Sequence, residues 1–158
     1  MIEAIKRIYG NVARAGETLQ SFILLALRLL WGYSWFLAGS TKLNDPQTVA
    51  NFFENMNIPF SLFSAYLVGY VEMIGGACLI IGFASRLVSI PLAITMIVAL
   101  VVAHPDALTA AWNDVSPLLV QGAFVHLCVA LIIFAFGPGK FSVDYIIQRL
   151  FSKGGKSK

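Results

Sequence analysis

Four stretches of the chain, about residues 21–40, 60–84, 87–103 and 117–136, are nearly unbroken runs of apolar side chains. Each is close to the ~20 residues needed to carry a helix across a ~30 Å hydrocarbon core. None alternates polar and apolar positions as a barrel strand does, so the pattern predicts four membrane helices. The third run is the shortest and holds Pro91 within its first turns, a position at which a membrane helix tolerates proline.

Shorter amphipathic stretches flank and link these runs. Ile2, Ile5, Tyr9 and Val12 recur at helical spacing with Lys6, Arg7 and Arg14 between them. Residues 1–18 therefore predict a basic amphipathic helix on an anionic leaflet, the alternative being a plain cytosolic extension. Between the first two runs, Asp45 suits an N-cap and Pro46 the first helical position. Val49, Phe52, Phe53 and Met56 follow on one face, and the helix must end before Pro59. After the fourth run, Gly137-Pro138-Gly139 is a helix stop. Ser142 can cap a further helix, with Asp144 in its first turn and Val143, Ile146, Ile147, Leu150 and Phe151 on its apolar face. The expected organisation is a four-helix transmembrane domain over 19–139 and an amphipathic C-terminal helix with a basic tail over 140–158. The expected fold class is an all-α membrane protein, a four transmembrane helix bundle with short amphipathic interfacial helices.

Composition agrees: 58% of residues are hydrophobic and 12% charged, against about half and a quarter in soluble domains. A net charge of +3 is too small to suggest nucleic acid. Its placement is more informative. Lys6, Arg7, Arg14, Arg86, Lys140, Arg149, Lys153, Lys156 and Lys158 fall on one side of the four spans, and Lys42 with Asp45, Glu54, Asp106 and Asp114 on the other. The positive-inside rule puts both termini in the cytoplasm. The first run is of span length rather than signal-peptide length and is read as a retained helix. Cys78 and Cys128 lie deep in apolar runs and form neither a disulfide framework nor a redox pair.

Candidate chemistry sits inside the membrane. Arg28, Glu72 and His126 lie within the first, second and fourth runs. Counting ~1.5 Å per residue from the outer ends puts them about 18, 16–18 and 14 Å deep, near one plane. Each buried Arg or Glu costs about 2.5–3.5 kcal/mol, so such groups face the bundle interior and pair; Arg28 with Glu72 is the expected pair. Arg28, Gly32, Trp35, Gly39 and Lys42 share one helical face, and Glu72, Gly75 and Gly76 line the second span similarly. Glycines let helix backbones approach in lipid. Two readings stay open: a polar mid-membrane pocket in which Arg28 holds a ligand oxygen, or an ion pair that only fixes helix pairing. His126 either bonds a backbone carbonyl or joins Glu72 in a proton path or against a quinone carbonyl. His104 reads as an interfacial polar cap. No cluster has metal-ligand spacing, and no metal or covalently bound cofactor is expected.

Several of these residues together carry a family resemblance. Arg28-Leu-Leu-Trp-Gly32, Ala38-Gly39-Ser-Thr-Lys42-Leu-Asn-Asp45-Pro46, Glu72 with Gly75-Gly76, Gly82-Phe-Ala-Ser-Arg86-Leu and Gly137-Pro138-Gly139-Lys-Phe-Ser142-Val-Asp144 resemble the DoxX family in order and spacing. Trp112–Ser116 lacks the Gly-Gly-Glu pattern often seen there, and His126 has no counterpart in the family pattern. The resemblance implies a multi-pass protein of the bacterial inner membrane. It implies a link to quinone-coupled oxidation or to complexes with redox enzymes, and in related proteins chaperone or receptor roles. The leading expectation is therefore a membrane subunit of a quinone-linked oxidoreductase. It would bind quinone near Arg28, Glu72, His126, Trp35 and Lys42, with a soluble or membrane oxidoreductase as partner and self-association as a further option. The alternative is a non-enzymatic scaffold or chaperone. A small transporter ranks last, because neither an internal repeat nor a broken helix is visible.

Overall fold

The computed structural model describes residues 2–154, and the side chains of all of these but residues 2–5, 8 and 152–154. The side chains of Ile2 and Ile5 of the predicted N-terminal face and of Lys153 are not described, and Lys156 and Lys158 lie outside the described residues. Eight helices follow one another: α1 Ile2–Asn44, α2 Pro46–Asn55, α3 Ser61–Ile81, α4 Ser85–Ala103, α5 Pro105–Ala110, α6 Ser116–Leu119, α7 Gly122–Phe136 and α8 Val143–Gly154. Three of them, α1, α3 and α4, are long and apolar enough to cross a membrane, and α7 is a shorter apolar helix of 15 residues. The protein is an all-α membrane bundle. Its outer surface is a belt of exposed Leu, Ile, Val and Phe, among them Leu29, Leu30, Ile74, Ile97 and Val101. In lipid such side chains lie in their own solvent and need no cover.

Two helix pairs make up the bundle, α1 with α3 and α4 with α7, meeting along a narrower seam between α3 and α4. One end carries the α3–α4 turn, the α7–α8 link and α8, and is called here the terminus end. The opposite, loop end carries α2, α5 and α6. The core where the pairs meet is Trp35, Leu79, Leu92, Met96, Val129, Ala130 and Ile133. The pairing of α1 with α3 rests on missing side chains. A methyl group on Gly76 would stand 2.5 Å from Gly32 O and 2.5 Å from Phe36 N. One on Gly39 would stand 2.5 Å from Gly69 O. The two backbones thus touch at two levels, and this contact fixes the antiparallel register.

The structure departs from the expected elements in three places. The amphipathic N-terminal segment is not a separate helix at 1–18 but continues into the first span without interruption. It therefore leaves the bundle as an extension of α1, with Lys6, Arg7, Tyr9 and Val12 exposed. The physical reason is that residues 18–21 hold no proline or glycine, and the Thr18 and Ser21 hydroxyls donate back to Arg14 O and Glu17 O instead of capping a new helix. The fourth run is broken: Gln121 is extended, with φ −74° and ψ 121°, between α6 and α7. Its side chain donates to Pro117 O at 3.1 Å and its N–H to Leu118 O at 3.1 Å, closing α6 as a tight turn just before Gly122, a poor helix former. Non-helical backbone at membrane depth is tolerated where it lines a cavity, and Gly122 does so. Finally, α5 occupies a stretch for which no helix was expected, and α6 takes the first residues of the fourth run. By contrast α2 begins at Pro46 behind an Asp45 cap, and Ser142 Oγ accepts the Tyr145 N–H at 3.2 Å in the first turn of α8.

The backbone contact gives a test of the fold. Gly76→Ala should push α1 off α3 and destabilise the protein by about 1–3 kcal/mol. Gly16→Ala, with open space around it, should be neutral or stabilise by about 0.5–1 kcal/mol. Thermal melting in detergent of the two variants checks both.

Candidate functional site

Between the two helix pairs, toward the loop end, lies a cavity of about 690 Å³. Its walls are mostly apolar, from Val68 and Val71 of α3 and Ile94, Val98 and Val102 of α4. Phe52, Phe53 and Met56, the apolar face of α2 and the residue after it, border its loop end. Five polar side chains converge on one wall: Ser34, Trp35, Lys42, Glu72 and His126.

Each is placed by its helix. Ser34, Ala38 and Lys42 stand one turn apart along α1, and the Gly39–Gly69 contact puts Lys42 opposite residue 66, from where its long side chain reaches about 9 Å along α3 to Glu72. Lys42 Nζ meets Glu72 Oε2 at 2.5 Å, the only salt bridge among the described residues. The Glu72 side chain is buried, whereas Lys42 keeps partial access. His126 stands on the first turns of α7. Its Nδ1 lies 2.8 Å from Gly122 O, and its Nε2 lies 3.0 Å from Ser34 Oγ. A carbonyl only accepts, so Nδ1 carries a proton, and Nε2 and the Ser34 hydroxyl share the other hydrogen bond. The Trp35 and His126 rings meet edge to face, with centroids 4.9 Å apart at 81°. Trp35 is 1% exposed, and its indole Nε1 has no hydrogen-bond partner. A buried donor left unmade costs about 1–3 kcal/mol, and this one belongs to a residue that lines the cavity.

Arg28 is not part of this cluster, and the expected Arg28–Glu72 pair does not form. Fourteen residues separate Arg28 from Lys42 in the sequence, roughly 21 Å along α1. The depth count took residues 40 and 60 as level. With Gly39 against Gly69, residue 40 instead stands opposite residue 68, about 10 Å below the start of α3. Arg28 is fully buried at the terminus end, where its Nη2 donates to Phe141 O at 2.5 Å. Gly82 ends α3 in a left-handed conformation with φ 72°, directly against the Arg28 guanidinium. The Asp144 carboxylate completes this junction. It accepts the N–H groups of Ala84 at 2.7 Å and Ser85 at 2.9 Å, and the Asp144 N–H donates to Gly82 O at 3.0 Å. An anion on the first N–H groups of α4 meets the positive end of the helix. Arg28 and Asp144 thus tie the C-terminal segment to the α3–α4 turn.

Of the residues singled out in the sequence, Glu72, His126, Trp35 and Lys42 come together at the cavity. Gly32, Gly39 and Gly76 serve the α1–α3 contact, and Gly75 packs against Leu92 of α4. Sequence reasoning missed Ser34, although its spacing from Ala38 and Lys42 was a usable signal. It also missed the α2 side chains as cavity wall, since nothing in their periodicity distinguishes facing lipid from facing a void. His104 is the residue before α5, and its side chain makes no capping hydrogen bond there.

Fold and site together define a multi-pass helical membrane protein with a partly open, mostly apolar cavity whose polar wall holds a charged pair. The chain belongs to the DoxX family, whose model matches residues 23–105. It is 32% identical over 77 residues to the Bacillus subtilis protein named "Putative oxidoreductase CatD", a match covering 49% of this chain and 56% of that protein. It is 30% identical over 137 residues to "Uncharacterized membrane protein Rv3486" of Mycobacterium tuberculosis, covering 77% of this chain and 78% of that one. No solved structure matches the chain.

Lys42→Met should leave Glu72 buried without its cation and destabilise the protein by about 3–5 kcal/mol, whereas Lys42→Met combined with Glu72→Met should recover most of that loss. Unfolding of the two single variants and the double variant measures it. At the loop end, hydrogen bonds from Thr48, its side chain first and then its backbone N–H, hold the exposed Asp45 carboxyl below the ordinary carboxylate range. The cap therefore supports α2 fully above the ordinary value of about 3.9, and the support disappears as pH falls through the lowered one. Amide exchange at Thr48 should accelerate in that acid window, and Asp45→Asn should flatten the dependence.

Proposed function

We propose that this protein is a membrane subunit of a quinone-linked redox system, with the cavity between the helix pairs as its quinone site. The observation that carries the reading is the polar wall of Ser34, Lys42, Glu72 and His126 in an otherwise apolar cavity, next to Trp35 with its buried, unpartnered indole N–H. A benzoquinone-type ring with an isoprenoid tail has the matching chemistry: an apolar body that fills the α3–α4 walls and a carbonyl oxygen that accepts from a buried donor. A quinone, when bound, supplies two-electron redox chemistry and exchanges protons with its surroundings.

The chain's own residues have assignable tasks. Trp35 Nε1 binds and orients the oxygen. His126 Nε2, held by Ser34, and the Glu72 carboxylate, held by Lys42, are the groups able to take up or give a proton. The apolar walls exclude water. Electrons come from a soluble or membrane oxidoreductase partner, and the name of the B. subtilis relative supports the redox link. The orientation belongs to the same proposal: the terminus end, with Arg86, Lys140 and Arg149, faces the cytoplasm of a bacterial inner membrane. A second reading, a scaffold that docks partner proteins, draws on the exposed N-terminal part of α1.

A short-tailed ubiquinone or menaquinone analogue should raise the melting temperature of the purified protein. Trp35→Phe should weaken binding about tenfold, the worth of one hydrogen bond, and Glu72→Gln and His126→Gln should weaken it too. Arg28→Gln should lower stability but leave affinity unchanged. The absence of any quinone-induced shift, with the partner still co-purifying, would favour the scaffold. A C-terminal fluorescent-protein fusion that fails to fluoresce in the cytoplasm would reverse the orientation.

A further inference from the structure

A second cavity, of about 610 Å³, opens at the terminus end where α1, α4, the α7–α8 link and α8 converge. It shares no lining residue with the quinone-type cavity. Two cations line it, Arg86 and Lys140. Arg86 makes one long hydrogen bond, Nη2 to Ala135 O at 3.3 Å, and neither cation has a salt-bridge partner among the described residues. Two carboxylates also line the cavity. The Asp144 oxygens are taken by the N–H groups of Ala84 and Ser85. Glu17 is exposed on the first turns outside the bundle and opposes an anion. Gln20 and Gln148 add amides that can donate or accept.

The cavity also has an apolar side. Leu87, in the first turn of α4, is 69% exposed, and Phe136, the last residue of α7, is 63% exposed. Both stand where apolar spans end, at the depth of lipid headgroups. We propose that this cavity binds an anionic phospholipid. Its phosphodiester lies between Arg86 and Lys140, its glycerol oxygens reach Gln20 and Gln148, and an acyl chain runs down from Leu87 and Phe136. Basic pockets between membrane helices hold phosphate headgroups by the same combination of charge and adjacent hydrocarbon. A free phosphate would use the cations and leave the apolar side unfilled.

The test is lipid retention by the full chain in nanodiscs that mix phosphatidylglycerol with phosphatidylcholine, read by native mass spectrometry after detergent extraction. Phosphatidylglycerol should be retained preferentially, and soluble glycerol phosphate should not displace it. Lys140→Gln, at an exposed side chain, should weaken retention about fivefold, in line with the worth of one basic residue at the surface. Arg86→Gln should do the same, and Glu17→Gln should strengthen retention. Lys6→Gln and Arg7→Gln, on the N-terminal extension outside the cavity, should change nothing. Equal retention in the Lys140→Gln and Arg86→Gln variants would overturn the proposal, as would an equal loss in Lys6→Gln or displacement by glycerol phosphate. Since Arg86→Gln also removes the bond to Ala135, the melting temperature of each variant is measured alongside, and Lys140→Gln decides if Arg86→Gln does not fold.

Discussion

The backbones of α1 and α3 touch at Gly32 with Gly76 and at Gly39 with Gly69, and the placement of every charged group inside the bundle depends on that contact. In lipid there is no hydrophobic gain from bringing two apolar helices together, so close van der Waals approach must hold them. Close approach is possible only where side chains are absent. Two glycine levels about two turns apart leave one register. That register sets Lys42 beside Glu72, where each offsets the other's burial, and sets Arg28 beside the turn that ends α3. Sliding α3 by a single turn would strand a carboxylate and an ammonium in hydrocarbon.

The two ends of the bundle consequently have different characters. At the terminus end, Arg28, Asp144 and the left-handed Gly82 knit three segments together through buried or half-buried hydrogen bonds. At the loop end the helix pairs are bridged by the polar wall, from Lys42 and Glu72 to Ser34 and His126, and a cavity remains. The break before α7 belongs to this arrangement. Continuing the helix through Gln121 would satisfy its backbone internally, but the protein instead opens the chain where the cavity wall passes. A cavity that is apolar along its length and polar at one wall suits an amphiphile with a hydrogen-bond acceptor at its head. Trp35 gives the most specific constraint, because a fully buried indole N–H without a partner is costly unless something else supplies one.

The periodicity of the chain alone determined the helical membrane class, the four apolar runs, and the amphipathic helices behind Asp45 and Ser142. These follow from local rules of span length, capping chemistry and the helical period, and each is a property of a few neighbouring residues. The sequence also marked Glu72, His126, Trp35 and Lys42, since an ionisable group at membrane depth stands out wherever it sits. What it could not give was which charge meets which. Counting residues from the ends of the runs assumed that adjacent spans start level, and so joined Glu72 to Arg28. Only the tertiary structure decided that Lys42 is the partner, that Arg28 belongs to the terminus-end junction, and that the fourth run breaks at Gln121. Register between helices is set by the closest backbone contact, and that contact is a relation between distant residues that no local pattern records.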